Sequence, residues 1–232
     1  MPITADGWLA ERFGHSVWTV SGEPSAAVLE HAAANPGRAL YQAKVDVGDV
    51  ATVLDLARAG LVVVNVNSLL ERAPAGPAED PPPGIELREL EAGDTEIAEV
   101  AQRTFSRTRF HLDPRIPDEV ADLIKRAWVE SYLSGVRGEL AYVALRDGRP
   151  VGFLAVVATE RERVIDLMGV DPGARGAGVG RALVRHFVAE SAGRCQAVRV
   201  GTQAANPGAT RFYEDAGFRA AGAAYDLHRL EG

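Results

Sequence analysis

The sequence has few of the residues that cross-link small proteins or hold metal ions. It contains one cysteine, Cys195, and five histidines among 232 residues. A single cysteine excludes an intrachain disulfide, and this supply of ligands argues against a structural zinc site. No apolar run approaches the roughly 20 residues needed to span a bilayer. The first residues also lack the basic start and apolar core of a signal peptide. We therefore expect a cytoplasmic protein with no metal and no membrane partner.

An excess of positive charge is also absent. The formal net charge is −7, and the fractions of hydrophobic residues, 47%, and charged residues, 25%, are ordinary for a globular protein. A broad nucleic-acid surface normally needs a basic face, so nucleic acid is not an expected partner. An anionic ligand would have to be held locally, by arginines and backbone N–H groups.

A proline-rich segment divides the chain. Residues 73–84 contain five of its 13 prolines and predict a semi-rigid linker. It separates a small α/β N-terminal module, residues 1–72, from a larger domain, residues 85–232. In the module, hydrophobic periodicity predicts helices over 25–34 and 49–59 and strands over 40–45 and 61–68. In the larger domain, it predicts strands over 85–90, 140–145, 151–157, 163–170 and 198–202, helices over 95–106, 118–134 and 209–216, and a last strand ending near Leu227.

A glycine-rich turn connects the strand that ends at Val170 to an amphipathic helix. Gly176, Gly178 and Gly180 alternate with other residues between Arg175 and Arg181. Glycine lets a ligand approach the backbone closely, and a helix N-terminus attracts anions. The turn predicts a pyrophosphate site. It has no lysine for a Walker loop and breaks the dinucleotide pattern at Arg181. The alternative is a junction whose glycines only permit tight packing.

The complete pattern, Val-x-Pro on a strand and then Arg-x-x-Gly-x-Gly, resembles the acyl-CoA loop of the GCN5-related N-acetyltransferases (GNAT). Further along, Asn206, Phe212, Tyr213, Gly217 and Phe218 resemble the same family's Asn…Phe-Tyr…Gly-Phe signature. The resemblance implies an α/β fold of order β-α-α-β-β-β-α-β-α-β, with a mixed, mostly antiparallel, twisted sheet flanked by helices. It also implies acetyl-CoA as co-substrate.

Within that resemblance Tyr213 is the general acid that protonates the departing thiolate. The alternative for Tyr213 is an aromatic packing residue. The residues implied to contact acetyl-CoA are Leu167, Met168, Gly169, Val170, Arg175, Gly176, Ala177, Gly178, Val179, Gly180, Arg181, Asn206 and Tyr213.

A narrower resemblance concerns the segment between the first two helices of the larger domain. Its start, Ser-Arg-x-Arg-Phe, followed later by Trp128, is similar to dTDP-fucosamine acetyltransferases and related amino-sugar-nucleotide acetyltransferases. Guanidinium groups bind phosphates bidentately, so Arg107, Arg109 and Arg115 suit a diphosphate. His111 and Asp113 suit sugar hydroxyls or the amine. The alternative is a solvated loop. The candidate acceptor-binding residues are Arg107, Arg109, His111, Asp113 and Arg115.

These resemblances imply N-acetylation of a small-molecule primary amine, with an amino-sugar nucleotide as the expected acceptor. A protein lysine or N-terminal acetyltransferase, which predicts an open acidic groove, and a non-catalytic acyl-CoA sensor remain alternatives. His111, Asp166 and Glu160 are candidates for the base that deprotonates the amine. We expect the N-terminal module to close over the acceptor side, so that a chain beginning at Ile85 keeps acetyl-CoA binding but loses acceptor turnover, if it folds. A homodimer remains open.

Overall fold

The architecture is a single mixed sheet with helices on both faces. A computed structural model describes residues 3–22, 24–76, 79–138, 140–159 and 161–232. Within these residues ten strands form one sheet, which confirms the predicted α/β, mostly antiparallel fold. No helix in this part of the chain is long and apolar enough to cross a membrane.

The chain up to Arg72 alternates short strands and helices. Asp6 and Asp49 cap the N-termini of the helices that follow them, because their side chains accept hydrogen bonds from the backbone N–H groups of Leu9 and Thr52. Asn35 lies at the C-terminal end of another helix. The elements are β1 (Ile3–Ala5), α1 (Gly7–Phe13), β2 (Ser16–Val20), α2 (Ser25–Ala34), β3 (Ala39–Asp46), α3 (Val50–Arg58) and β4 (Val62–Arg72).

The chain after the proline-rich segment follows the predicted order with one extra short helix. Asp147 and Gly148 both have positive φ, 51° and 73°, as a tight hairpin turn of the type I′ class requires. The elements are β5 (Glu86–Glu89), α4 (Ile97–Thr104), α5 (Arg109–Leu112), α6 (Asp118–Leu133), β6 (Leu140–Arg146), β7 (Arg149–Ala158), β8 (Glu162–Val170), α7 (Val179–Glu190), β9 (Ala197–Gln203), α8 (Pro207–Asp215) and β10 (Arg219–Glu231).

The strand order brings the two halves of the chain into one sheet. The order is β1-β2-β3-β10-β4-β9-β8-β7-β6-β5. β10 lies between β3 and β4, antiparallel to both, and β4 also pairs with β9. The proline-rich segment thus separates the halves along the chain but not in the sheet. The domain boundaries at residues 72 and 85 stay a prediction.

Packing also crosses the division. On one face of the sheet, α7 and α8 cover a core that includes Leu183, Phe187 and Phe218. On the other face, α4 and α6 cover a core that includes Val129 and Phe153. A further buried cluster joins the halves directly, because it combines side chains from both: Leu9, Val17 and Leu40 with Phe110, Ile116, Ala121 and Ile124.

Three features differ from the sequence-based expectations. The segment predicted as a loop between two helices contains α5, whose first turn is capped by Thr108. The first 20 residues form β1, α1 and β2, for which no elements were predicted. β10 continues to Glu231 rather than ending near Leu227 because β3 supplies partners up to the Glu231–Ala39 pair. Short elements such as β1 and α5 depend on tertiary neighbours, which local periodicity does not record.

We predict that a chain beginning at Ile85 will not fold, which revises the expectation stated above. Without residues 1–84, β10 loses both of its neighbours and β9 loses β4, so two strands would expose unpaired backbone groups and apolar side chains. Circular dichroism during heating should show a cooperative transition for the full chain and none for the truncated one. A monomeric truncated chain that melts cooperatively would contradict this prediction.

Candidate active site

Two parallel strands near the middle of the sheet separate towards their carboxyl ends. β8 and β9 are paired from Glu162–Ala197 to Ile165–Val200, and none of the described residues beyond these continues the pairing. Asp166 and Gly201 are therefore the first residues past the point of separation. Beyond it, the edge of β8 that faces β9 leaves backbone N–H and C=O groups free to pair with an extended ligand.

A β-bulge in β8 coincides with this separation. Opposite β7, Leu167 pairs with Ala155 and Ile165 pairs with Val156, so Asp166 is the inserted residue. Ile165 packs in the core beneath α7. Leu167 packs instead in the core beneath α6, and Asp166 bonds to α6 side chains. The bulge thus places two consecutive side chains on the α6 face of the sheet.

The glycine-rich turn lies on the opposite, α7, face. Gly176 and Gly178 have φ values of 78° and 80°, in the left-handed region that favours glycine. Gly178 is the N-cap of α7, which begins at Val179 and runs for 12 residues. The first backbone N–H groups of α7 have no partners within the helix and are directed at the turn, as in other anion sites at helix N-termini.

A cavity of about 510 Å³ opens against this turn. Gly180 leaves room in the wall of this cavity, because a Cβ at that position would lie 3.0 Å from Cε of Met168. Leu167, Gly169, Ala177, Asn206 and Tyr213 are not among the lining residues. Of the residues predicted to contact acetyl-CoA, those that line the cavity are Met168, Val170, Arg175, Gly176, Gly178, Val179, Gly180 and Arg181.

The proline-rich segment passes over the start of α7. Cγ of Pro82 would lie 3.0 Å from a Cβ at Gly178, and Glu79 forms an exposed ion pair with Arg185. The described part of the segment is therefore packed beside the glycine-rich turn rather than extended into solvent.

Tyr213 and Asn206 both belong to α8. Asn206 caps the helix by accepting a hydrogen bond from the backbone N–H of Ala209, 3.2 Å away. The Tyr213 ring is buried, and its hydroxyl donates to Sδ of Met168 at 3.6 Å. Burial raises the pKa of this hydroxyl well above its usual value, so it keeps its proton at neutral pH. The Tyr213 hydroxyl therefore reaches Met168 on β8 in its protonated form, while its ring also packs against Phe218.

A second cavity, of about 430 Å³, lies on the α6 face at the point of strand separation. Its walls come from α5 and α6 on one side and from β3, β4, β8, β9 and β10 on the other. Both Asp166 and Gly201 line it, so it adjoins the gap between β8 and β9. Three cationic and three acidic side chains face it: Lys44, Arg109, Lys125, Asp46, Asp166 and Asp226.

Among the predicted acceptor-binding residues, Arg109 lines this cavity. Its guanidinium donates to Oε1 of Gln42 at 2.8 Å and lies 3.9 Å from Oδ1 of Asp226. That Asp226 oxygen is buried and has no hydrogen-bond partner among the described residues, whereas the other accepts from Asn65 at 2.7 Å. Burial lowers the pKa of Arg109, but a guanidinium stays charged at neutral pH.

The other four are not in the lining of this cavity. Arg107 is exposed and donates to the backbone carbonyl of Ala205 at 3.4 Å. Both ring nitrogens of His111 are engaged, by the Thr108 hydroxyl at 2.7 Å and by Asp122 at 3.0 Å. Arg115 forms a bidentate pair with Asp113.

Asp113 itself is fully buried. It accepts from Nδ1 of His228 at 3.0 Å as well as from Arg115. Burial alone would raise the pKa of Asp113, but the bonds from His228 and Arg115 outweigh it and hold the pKa well below its usual range. Asp113, Arg115 and His111 are thus held by bonds to other protein groups. Among the five candidate acceptor-binding residues, Arg109 is the one that faces the cavity.

Asp166 is held too firmly to be a good proton acceptor. Its carboxylate accepts from Nε1 of Trp128 at 3.0 Å, from the Tyr132 hydroxyl at 2.7 Å and twice from Arg137, at 2.8 and 3.1 Å. Burial raises the pKa of Asp166, but the hydrogen bond and charge of Arg137 exceed that effect, so its pKa is lowered. Glu160, another candidate base, lies outside the described residues.

Sequence reasoning missed most of the cavity lining. Lys44, Asn67 and Asp226 lie on strands β3, β4 and β10, which pair only through the sheet topology. One signal was available for Lys125. It precedes Trp128 by three residues on the helix that follows the predicted acceptor-binding segment, so the two side chains share one face of that helix. In the described residues, no group of three or more His, Cys, Asp or Glu side chains is arranged to hold a metal ion.

Comparisons with known proteins agree with this geometry. The chain is 34% identical over 166 residues to the spore coat polysaccharide biosynthesis protein SpsD of Bacillus subtilis, a match over 70% of this chain and 57% of SpsD. It is 33% identical over 118 residues to human N-acetylaspartate synthetase, which covers 50% of this chain and 37% of that protein. The chain therefore spans only part of the length of these relatives.

A GCN5-related N-acetyltransferase from Sphaerobacter thermophilus has the same fold, with a TM-score of 0.61 at 20% identity, over 84% of this chain and 60% of that one. The model of the acetyltransferase (GNAT) family matches residues 96–218, from the start of α4 to the start of β10. That range contains the glycine-rich turn, the separated strands and Tyr213. This chain is a member of the GNAT acetyltransferase family.

Proposed function

We propose that this protein transfers the acetyl group of acetyl-CoA to the primary amine of a small anionic molecule, and that an amino-sugar nucleotide is the acceptor. The observation that carries the proposal is the pair of cavities that approach β8 from opposite faces. One adjoins a glycine-rich helix N-terminus, and the other is lined by charged side chains. β8 contributes to both, with Asp166 in the charged cavity and Met168 in the other, next to the point where β8 and β9 separate, and a two-substrate transfer requires its two sites to lie side by side.

The residues around the turn fit a CoA pyrophosphate. Arg175 and Arg181 flank the backbone N–H groups at the start of α7, and Gly180 leaves room beside Met168. Bound there, acetyl-CoA would supply the acetyl thioester. The free edge of β8 beyond Ile165 would hold the pantetheine arm as an additional strand. Backbone N–H groups on that edge would polarise the acetyl carbonyl, and Tyr213 would give its proton to the leaving sulfur.

Two observations support a small charged acceptor. A volume of about 430 Å³ falls within the range of small-molecule sites, whereas a protein acetyltransferase would need an open groove for a peptide. An adjacent cavity of about 380 Å³ shares Arg109 and Trp128 with the first. Together the two offer room for a sugar and the phosphates attached to it. The name of SpsD, a polysaccharide biosynthesis protein, supports a sugar acceptor.

An amino acid is the second candidate acceptor. Several relatives are named N-acetylaspartate synthetase, which supports an amino acid acceptor. The mixed charges around Arg109 and Asp226 suit a molecule that carries both an ammonium and a carboxylate. A non-catalytic acyl-CoA sensor would not need the Tyr213 hydroxyl to reach Met168 on β8. The predicted cytoplasmic location and a homodimer stay predictions.

The first test concerns the acetyl-CoA site. Arg181→Gln should weaken acetyl-CoA binding about 10- to 100-fold, since a charge-assisted hydrogen bond contributes roughly 1.5–3 kcal/mol. Arg194→Gln is the matched control: Arg194 lies just beyond the other end of α7 in an exposed pair with Glu190, and its loss should leave the affinity unchanged. Isothermal titration calorimetry measures both. Equal affinity of the Arg181→Gln variant and the wild type would remove the turn from the proposed site.

The second test concerns the general acid. Tyr213→Phe keeps the ring that packs against Phe218 and removes only the hydroxyl. We expect turnover to fall roughly 10²- to 10⁴-fold, the range for a positioned acid, with little change in acetyl-CoA affinity or melting temperature. Stopped-flow detection of thiol release during the first turnover isolates the chemical step. A near-normal rate in that measurement would leave Tyr213 with a packing role alone.

The third test concerns the acceptor. Arg109→Gln should raise the acceptor KM about 10- to 100-fold, through loss of a charge-assisted bond, and leave acetyl-CoA affinity unchanged. Arg115→Gln is the comparison, because Arg115 is bonded to buried Asp113. It should lower the melting temperature without a selective effect on KM.

The substrate panel should contain amino-sugar nucleotides, aspartate and other amino acids, and basic peptides. Saturable turnover of an amino-sugar nucleotide that depends on Arg109 would support the proposal. Turnover of amino acids alone would select the second candidate. Turnover of peptides alone, indifferent to Arg109, would overturn both.

A further inference from the structure

The two lysines of this chain occupy one site. The sequence has 25 basic side chains other than histidine, and all but Lys44 and Lys125 are arginines. Both lysines line the cavity that we assign to the acceptor. Arginine cannot lose its proton under ordinary conditions, whereas a buried lysine can. Lys125 is buried, so a side chain able to switch between a cation and a neutral amine lies where an amine substrate must be deprotonated.

Lys125 is the more buried of the two. It lies on α6 with 9% of its surface exposed, and its Nζ is 4.0 Å from the centre of the Trp128 ring and 5.4 Å from that of Phe105. Within the described parts of the chain, no carboxylate oxygen lies within salt-bridge distance of Nζ, and no hydrogen bond to it is found. Loss of hydration at this site disfavours the charged form of the amine, while cation–π attraction to the two rings acts in the opposite direction.

The charges around Lys125 come from α5, β3, β8 and β10, which line the cavity, and from the segment that follows α6. Arg109 on α5 and Arg137 after α6 repel its positive form, while Asp166 on β8 attracts it. Lys44 and Asp46 on β3 and Asp226 on β10 line the same cavity. Burial, together with repulsion by Arg109, lowers the pKa of Lys125 to about 7, because attraction by Asp166 opposes them only in part.

Lys125 also faces the point of transfer. It shares the cavity wall with Asp166 and Gly201, the first residues past the last β8–β9 pair, Ile165–Val200. Under the proposed function, the acetyl group arrives through this gap. An amine that enters the cavity from the α6 side would lie between the gap and Nζ. Of the two base candidates from the sequence that the structure describes, His111 does not line this cavity, and the Asp166 carboxylate already accepts four hydrogen bonds.

We propose that Lys125 is the general base of the acetyl transfer, a role that rests on the proposed function. Neutral Nζ accepts one proton from the acceptor's ammonium, which frees the nitrogen lone pair. The nitrogen forms the new C–N bond as the C–S bond breaks. Tyr213 gives its proton to the sulfur and regains one from the new amide nitrogen through solvent. Lys125 then releases its proton to solvent, so one proton is liberated for each amide formed.

The first measurement needs no acceptor. In protein labelled with ¹³C-lysine, only two sets of side-chain signals exist, and Lys44→Arg assigns them. We expect the Cε signal of Lys125 to titrate with a midpoint near pH 7. A signal that stays constant between pH 5.5 and 9 in the folded protein would overturn the proposal, whatever the protein acetylates.

The second measurement compares pH profiles of the wild type and Lys125→Arg. Because the deprotonated form of Lys125 is the active one, the wild-type kcat/KM should rise as pH increases through about 7. Arginine keeps the charge but cannot act as a base, so that limb should disappear and kcat should fall roughly 10²- to 10⁴-fold, with acceptor KM little changed. If Lys125 only bound an anion, Lys125→Arg would retain most of its activity and the limb, which would overturn the proposal.

Arg126→Lys is the matched control, since Arg126 is adjacent in sequence and pairs with Glu130 on the exposed face of α6. Its profile should match that of the wild type. The two proposals fail in different ways. If no amine releases thiol from acetyl-CoA, the acetyltransferase proposal fails, and the titration still reports on Lys125. If amines are acetylated and Lys125→Arg is unaffected, only the base assignment fails.

Discussion

The structure depends on how the Asp166 carboxylate is held. The bulge in β8 turns Asp166 towards α6, where Trp128, Tyr132 and Arg137 donate to it. These bonds fix α6 above the sheet at the level where β8 and β9 separate. The same contacts therefore hold the α6 side chains that lie near the gap, Lys125 included. A carboxylate with four donors is a poor base, and its value here is positional.

A second constraint is the way in which the two halves of the chain share one sheet. β4 and β10 lie between β9 and β3, so strands from both sides of the proline-rich segment form the floor of the acceptor cavity. Gln42 on β3 bonds to Arg109 on α5, and Asp226 on β10 lies near it. The first half of the chain is thus a wall of the cavity, and changes there would alter which acceptor fits. Tyr213 and the glycine-rich turn belong to the second half alone.

Charge is distributed unevenly in relation to these surfaces. The chain as a whole is acidic, yet both cavities present cationic groups, and arginines elsewhere are paired with carboxylates, as Arg88, Arg115 and Arg137 are. Arg175 and Arg181 are exposed beside the glycine-rich turn, where a phosphate can reach them. In the acceptor cavity the cations lie among acids, which favours a ligand that carries charges of both signs.

The sequence by itself determined the parts of the molecule that local chemistry controls. The glycines at residues 176 and 178, the strand and helix around them, the Asp147–Gly148 turn and the order of elements from β5 to β10 all follow from backbone preferences and periodicity within short windows. The acyl-CoA turn could be recognised because its residues are contiguous. Arg109 could be named because it stands in a motif.

Only the tertiary structure decided the rest. The pairing of β10 between β3 and β4 joins residues that are 148 to 192 positions apart, and no local pattern encodes which strands meet. That pairing brings Lys44 and Asp226 into the acceptor cavity and leaves His111, Asp113 and Arg115 bonded to neighbours outside it. The pKa of Lys125 likewise depends on burial and on the charges of α5 and β8. Desolvation and long-range strand pairing are properties of the folded chain, so the chemistry that depends on them becomes visible only there.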